Sequence, residues 1–284
     1  MHLCMYDDSM NIEPVFSTPL GRLYEGDCLP WLRDLDDESV DLVFADPPFN
    51  LNKNYGNGFK DNLSEEEYLS WTLEWVDECV RVIAPGGALW IYNIPRWSMP
   101  TGAHLLQKRE LTFKHQVAIS MKTGLPIPNK LSPAHYSALY FIKGKKPKAF
   151  SRPRTPIEVC RHCGKEIKDY GGHRSKMNPE GVNLTDVWTD LSPVRHRGAK
   201  HRSANALPEK MLERILTISS VPGDLVLDPF GGSGTTYAVA ERMHRRWLGI
   251  ELSGTETIVR RLQGEESLFE MPNRGDAGRG LKRS

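Results

Sequence analysis

The chain has 284 residues, 39% hydrophobic and 26% charged, which is ample material for a buried core in an ordinary water-exposed protein. Its 37 Lys and Arg face 36 Asp and Glu, a net charge of +1, so any surface for a polyanion has to be local. No apolar run approaches the ~20 residues of a membrane span, and acidic Asp7 and Asp8 stand where a targeting segment would be basic. A cytoplasmic location with no membrane partner is expected. The five cysteines, Cys4, Cys28, Cys79, Cys160 and Cys163, are few and odd in number, which argues against a disulfide framework.

Residues 1–19 are polar, carry Pro14 and Pro19, and read as a flexible arm. A strand at 22–25 runs into Gly26-Asp27-Cys28, and a short helix follows at 29–35. Residues 40–45 are apolar with one polar interruption, the pattern of a buried strand, and they end in Asp46-Pro47-Pro48-Phe49 and Asn50. The carboxyl edge of a strand is where open α/β sheets place their sites. Two prolines fix φ and remove two backbone donors, leaving a stiff loop with carbonyls free to accept. A carboxylate, rigid carbonyls and an aromatic face suit a flat ring with an exocyclic amine. Taken alone, the tetrapeptide is equally well an acidic strand end followed by a turn.

The Gly- and Asn-rich stretch 51–61 reads either as a loop that closes over a ligand or as an ordinary connection. Ser64 with Glu67 is a capping box, and the helix it opens carries Leu69, Leu73, Val76, Val80 and Ile83 and stops at Pro85-Gly86-Gly87. Trp71 and Trp75 on it read as packing residues. Strands follow at 88–92, 116–120 and 138–142, with a helical stretch at 105–109. Alternation of this kind builds a doubly wound, mostly parallel α/β sheet.

Composition shifts after Gly144. Residues 145–202 hold 14 Lys and Arg against six Asp and Glu, an excess of eight in a chain whose total is +1. With its many prolines the segment reads as an inserted basic module suited to phosphate contacts, although a charge run can also be a solvated face. It contains Cys160-Arg161-His162-Cys163-Gly164. A C-x-x-C turn is half of a common zinc site, and His173 is the best third ligand; a reduced pair that merely packs is the alternative.

A helix at 208–219 leads to a buried strand at 225–227. That strand ends in Asp228-Pro229-Phe230-Gly231-Gly232-Ser233-Gly234-Thr235-Thr236, after which a helix starts near Thr235. Strand, glycine-rich bend and helix make a nucleotide-cofactor cradle, but neither a P-loop nor a G-x-G-x-x-G. The next strand, 247–250, ends at Glu251, an acid placed to accept two ribose hydroxyls.

D-P-P-F at 46–49, D-P-F-G-G-S-G-T-T at 228–236 and G-I-E at 249–251 together resemble the S-adenosylmethionine-dependent amino-methyltransferases of DNA in the circularly permuted order called the β class. The resemblance covers residues 20–262. It implies a Rossmann-like methyltransferase fold with its catalytic part at 20–144, a target-recognition insertion at 145–203 and its cofactor part at 204–262; the Gly- and Glu-containing remainder, 263–284, reads from its composition as a disordered tail. It further implies catalysis by Asp46, Pro47, Pro48 and Phe49. Asp228, Phe230, Gly231 and Gly234 would surround the methionine part of the cofactor, with Thr235 and Thr236 by its carboxylate, and Gly232, Ser233 and Asp46 would also contact the cofactor. Glu251 would meet the ribose, and Asp27 and Cys28 the adenine. The implied partner is double-stranded DNA, with a homodimer as a further option. In this family Asp-Pro-Pro-aromatic usually accompanies N6-adenine methylation and Ser-Pro-Pro-aromatic N4-cytosine methylation, so Asp46 favours adenine. Cytosine N4, or a DNA- or cofactor-binding subunit of a larger assembly, are the alternatives.

Overall fold

The structure is a computed structural model that describes residues 13–53, 61–120, 128–129, 131–160, 162–166, 172, 176–191 and 206–264. In chain order its elements are β1 (Phe16–Ser17), β2 (Gly21–Glu25), α1 (Cys28–Asp34), β3 (Val40–Ala45), α2 (Glu65–Val82), β4 (Ile83–Asn93), α3 (Pro95–Leu105), β5 (Leu111–Ser120) and β6 (His135–Lys143). These are followed by β7 (Arg154–Thr155), β8 (Val182–Asn183), β9 (Val187–Trp188), α4 (Glu209–Ser219), β10 (Leu225–Asp228), α5 (Thr235–Arg242), β11 (Arg246–Glu251) and α6 (Glu256–Leu262).

Nine strands form one sheet in the order β1-β2-β11-β10-β3-β4-β6-β5-β9, while β7 and β8 pair separately. From β2 to β4 every neighbour is parallel; β6 lies antiparallel between β4 and β5. The expected mostly parallel, doubly wound sheet is therefore present. Side chains alternate along each strand with period two. Leu42, Phe44 and Trp90 pack with α4, α5 and α6 on one face, whereas Val43, Ala45, Leu89 and Ile91 pack with α1, α2 and α3 on the other.

Local signals explain most of the element boundaries. Ser64 caps α2, accepting from the Glu67 amide at 3.2 Å while the Glu67 carboxylate accepts from the Ser64 amide at 2.9 Å. The helix stops at Val82, before the expected Pro-Gly-Gly, and Ile83 already pairs with Val40 in the sheet. Residues 84–87 bulge between that pair and Leu42–Ala88. The helix expected at 105–109 lies earlier, over Pro95–Leu105: Pro95 at the first helical position, where no N–H is needed, starts it.

Two boundaries are corrected. The arm expected at 1–19 is bound in its described part: Phe16–Ser17 pairs with Leu23 and Arg22, and the Thr18 hydroxyl donates to Glu241 at 2.8 Å. The basic insertion is not a separate module throughout either. Its strand β9 joins the main sheet beside β5 and buries Trp188, and Leu191 is buried in the same core. Asp190 ties this segment to α4 through Arg214 and through Lys210 at 2.7 Å, and these cations hold its carboxyl well below the usual range. The tail beyond residue 264 lies outside the described residues.

Candidate active site

Strands β10 and β3 are neighbours, but the chain leaves them in opposite directions, β10 toward β11 and β3 toward β4. This is a topological switch point, and the crevice outside its strand ends is where such sheets bind ligands. Asp228 ends β10, Asp46 follows β3, Glu251 ends β11, and Gly26-Asp27 follow β2, all on one edge of parallel strands. The sheet thus gathers the expected acids into one crevice.

On the β10 side, the Asp228 carboxylate accepts from the Phe230 amide at 2.9 Å and from the Thr236 hydroxyl. Burial raises this carboxyl to about 7 against those two bonds, and the charge of Glu251 adds to the rise. The Tyr237 hydroxyl donates to the Asp228 carbonyl at 2.9 Å and to that of Ile250 at 3.3 Å, bolting the ends of β10 and β11 together. A Cβ at Gly231 would lie 2.7 Å from that hydroxyl, and Gly234, at φ +74°, turns the loop into α5 in a left-handed conformation that suits glycine. Glu251 accepts from the Gly232 amide at 2.6 Å, and its carbonyl accepts from the Gly26 amide at 2.9 Å. One residue therefore joins the glycine loop, β11 and the end of β2.

Asp27 caps α1, accepting from the Leu29 amide at 3.0 Å, and remains exposed. Cys28 is buried in the core beside Cys79, so only its backbone is left for a ligand, and burial pushes its thiol far up. Ser233 and Thr235 hydroxyls lie 3.3 Å apart, and Arg261 donates to Thr235 at 3.1 Å. Trp75 is fully buried, as expected of packing, and it and Trp71 meet the Phe230 ring edge-on at 5.0 and 5.8 Å.

On the β3 side, burial first and then the charge of Asp228 raise the Asp46 carboxyl well above the usual range, with Lys53 opposing them. Two acids at adjoining strand ends make the neutral form of one of them favourable. Phe49 is buried, its ring 6.0 Å from Tyr92 and 5.8 Å from Tyr136, and these two tyrosines are 5.0 Å apart. Both phenols feel the charge of Asp46, which places them around the same point. The sequence reading missed them. Tyr92 carried a usable signal, an aromatic next to the carboxyl end of a strand; Tyr136 carried none, because it reaches this edge only through the antiparallel course of β6.

Residues 40–257, more than half the chain, match the N6/N4 methyltransferase family, described as DNA methylase. The chain belongs to this family. It is 52% identical over 261 residues to the type II methyltransferase M.BamHI of Bacillus amyloliquefaciens, an alignment covering 92% of this chain and 61% of the relative, so the chain spans less than two thirds of that protein. It is 32% identical over 248 residues to the DNA adenine methyltransferase YhdJ of Escherichia coli, covering 84% of this chain and 80% of the relative. Among solved structures, the cytosine-N4-specific PvuII DNA methyltransferase superposes with a TM-score of 0.63 at 21% identity, covering 93% of this chain and 91% of that one; this likeness supports the fold. The methyl donor of the family is S-adenosylmethionine. No described helix is long and apolar enough to cross a membrane.

The cysteine pair belongs to the connection between β7 and β8 and not to the strand ends that form this crevice. Cys160 and Cys163 sit on a tight hairpin in which the Cys160 amide donates to the Lys165 carbonyl at 2.6 Å and the Gly164 amide to the Cys160 carbonyl at 2.9 Å. His173 lies outside the described residues, and among the described residues no three His, Cys, Asp or Glu side chains are grouped so that they could hold a metal ion. Among the described residues the hairpin brings together two cysteine thiols and no third metal-ligating side chain.

Proposed function

We propose that this chain is a cytoplasmic, site-specific methyltransferase that moves a methyl group from S-adenosylmethionine to the exocyclic amine of a base flipped out of duplex DNA. The observation that carries this reading is the meeting of Asp46, Phe49, Tyr92 and Tyr136 with Asp228 at one switch point. The donor groups fit the cofactor. Glu251 suits the ribose hydroxyls, Asp27 and the Cys28 backbone the adenine, and Asp228 with residues 230–236 the methionine part, Thr235 and Thr236 lying toward its carboxylate. When bound, the cofactor supplies a methyl on a cationic sulfur, which keeps the carbon–sulfur electron pair as the new nitrogen–carbon bond forms.

The chain's own residues position the acceptor. The amine's lone pair is delocalised into its ring; accepting its hydrogens at Asp46 and at the Pro47 carbonyl localises that pair for attack. The amine proton then leaves to Asp46 or to water. Flipping the base costs a few kcal/mol of unstacking, which stacking on Phe49 between Tyr92 and Tyr136 offsets. The basic excess at 145–202 suits the DNA phosphates.

Two bases carry such an amine. The aspartate at position 46 and the likeness to YhdJ support adenine N6. Cytosine N4 is the second reading, and the observation favouring it is the raised Asp46 carboxyl. A neutral carboxyl has one donor and remaining acceptor capacity, as the hydroxyl of a Ser-Pro-Pro-aromatic motif does. Incubation with radiolabelled S-adenosylmethionine and genomic DNA, followed by hydrolysis to nucleosides, separates N6-methyladenosine-type from N4-methylcytidine-type products. Label in neither overturns the proposal.

The state of Asp228 sets a pH dependence. Its folded value of about 7 lies above the ordinary 3.8, so the free protein takes up a proton as pH falls through about 7. A cationic ligand favours the ionised carboxylate. Cofactor affinity should therefore be level above about pH 7 and weaken below it, approaching tenfold per pH unit, with proton release on binding. Calorimetry between pH 5.5 and 8.5 in buffers of differing ionisation enthalpy reads both effects. An affinity independent of pH over that range would remove Asp228 from the cofactor site.

A further inference from the structure

The backbone after Asp46 is held at two successive carbonyls and at the four amides that follow them. The Tyr68 hydroxyl donates to the Pro48 carbonyl at 2.5 Å, and Asn93 donates to the Tyr68 oxygen at 3.3 Å. The Trp97 indole donates to the Phe49 carbonyl at 2.8 Å. Beyond Phe49 the chain turns through two left-handed residues, Asn50 at φ +54° and Asn52 at φ +57°. Such conformations are uncommon for residues with a side chain and persist where surrounding bonds fix them.

Asp61 supplies those bonds. Its carboxylate, 3% exposed, accepts from the amides of Asn50 at 2.7 Å, Leu51 at 2.9 Å and Lys53 at 2.8 Å, and its carbonyl accepts from the Asn52 amide at 2.7 Å. The Asn50 side-chain amide is held by the Leu63 carbonyl at 2.9 Å. A buried carboxylate that gathers three backbone N–H groups across 8 to 11 residues of sequence is a clasp, and what it clasps is the segment presenting Phe49. The carbonyls of Pro48 and Phe49 are both taken. Among the described residues, the Pro47 carbonyl has no hydrogen-bond partner.

We propose that Asp61 is the positioning residue of the catalytic loop. It fixes the turn at 50–53 so that Phe49 presents its ring, while Tyr68 and Trp97 occupy the next two carbonyls and leave that of Pro47 as the acceptor for the amine. Asp61 touches no reacting atom; it acts through the backbone that bears the ones that do. This inference rests on the methyl-transfer reading above. It adds a requirement which that reading does not contain, that turnover depends on a buried acid that touches neither the base nor the cofactor.

The test compares wild type, Asp61→Asn and Tyr68→Phe for single-turnover rate on genomic DNA, cofactor affinity by calorimetry and melting temperature. One side of the asparagine amide is a donor, so whichever way it is turned Asp61→Asn meets at least one of the Asn50, Leu51 and Lys53 amides donor to donor, and the loop loses its place. Misplacement of reacting groups by about 1 Å costs on the order of 10²-fold in rate. Asp61→Asn should therefore lose about 30- to 100-fold in methyl-transfer rate, with cofactor affinity within about twofold of wild type. Tyr68→Phe deletes one hydroxyl and frees the Pro48 carbonyl; it should fold and lose about five- to tenfold in rate, again with cofactor affinity kept. Should Asp61→Asn fail to fold, Tyr68→Phe alone decides the allocation of carbonyls. Wild-type rates in both variants overturn the inference while sparing the function, and so does a parallel loss of rate, cofactor affinity and melting temperature. A wild-type protein that transfers no methyl group overturns both.

Discussion

Asp46→Ala should lower the methyl-transfer rate by at least 10²- to 10³-fold, the scale on which removal of one preorganised electrostatic partner of a reacting group acts. The carboxyl stands at the end of β3 against Asp228 at the end of β10, half-buried and held toward its neutral form. Alanine takes away the side-chain acceptor for the amine and leaves only the Pro47 carbonyl. The β10 side of the crevice is built from other bonds, Phe230 and Thr236 on Asp228 and Gly232 on Glu251, so cofactor affinity should stay within a few-fold of wild type. Asp46→Asn separates the two services of the residue. Asparagine keeps an acceptor oxygen but cannot take a proton, so a rate well above that of the alanine variant would assign the contribution of Asp46 to orientation, and equal rates would assign it to proton acceptance. Single-turnover transfer of labelled methyl to genomic DNA measures all three proteins. Full activity of Asp46→Ala would place the chemistry elsewhere.

How legible the site was in the sequence follows from how local its parts are. Strand β3 and the turn after it, the capping box of α2, and the run from β10 through the glycine loop into α5 are each specified within a dozen residues, and each lies where the sequence puts it. The convergence of Asp46 with Asp228 is not local, since 182 positions separate them, yet the alternation of strands and helices implied it through the switch point. What stayed hidden depends on pairing and register. Tyr136 meets Phe49 because β6 runs antiparallel beside β4, and nothing within 135–143 announces that direction. Trp188 enters the core because a two-residue strand docks on β5, too short for any periodicity to register. Asp61 sits in a Gly- and Asn-rich stretch that looks like a solvated loop, and only its three backbone partners reveal it as buried structure.

Glu251→Ala should have the largest effect on cofactor binding. In the proposed complex its carboxylate accepts both ribose hydroxyls, and in the free protein it already accepts the Gly232 amide at 2.6 Å and stands at the junction of β11 with β2. Hydrogen bonds to a charged group contribute about 1.5–3 kcal/mol each, and an amide left without its partner adds its own desolvation penalty on closure. Losing two such bonds predicts a fall in affinity on the order of 10²- to 10⁴-fold. Glu251→Gln keeps one neutral acceptor oxygen and should fall between alanine and wild type. The same substitution removes a charge that raises Asp228, so the residual cofactor binding should shift its pH dependence below about 7, a signature that mere loss of the ribose contact would not produce. Calorimetric titration of S-adenosylmethionine into each variant, repeated across pH, reads affinity and shift together. If Glu251→Ala binds the cofactor as wild type does, the acid at the end of β11 is a brace for the glycine loop alone, and the ribose has to lie elsewhere in the crevice.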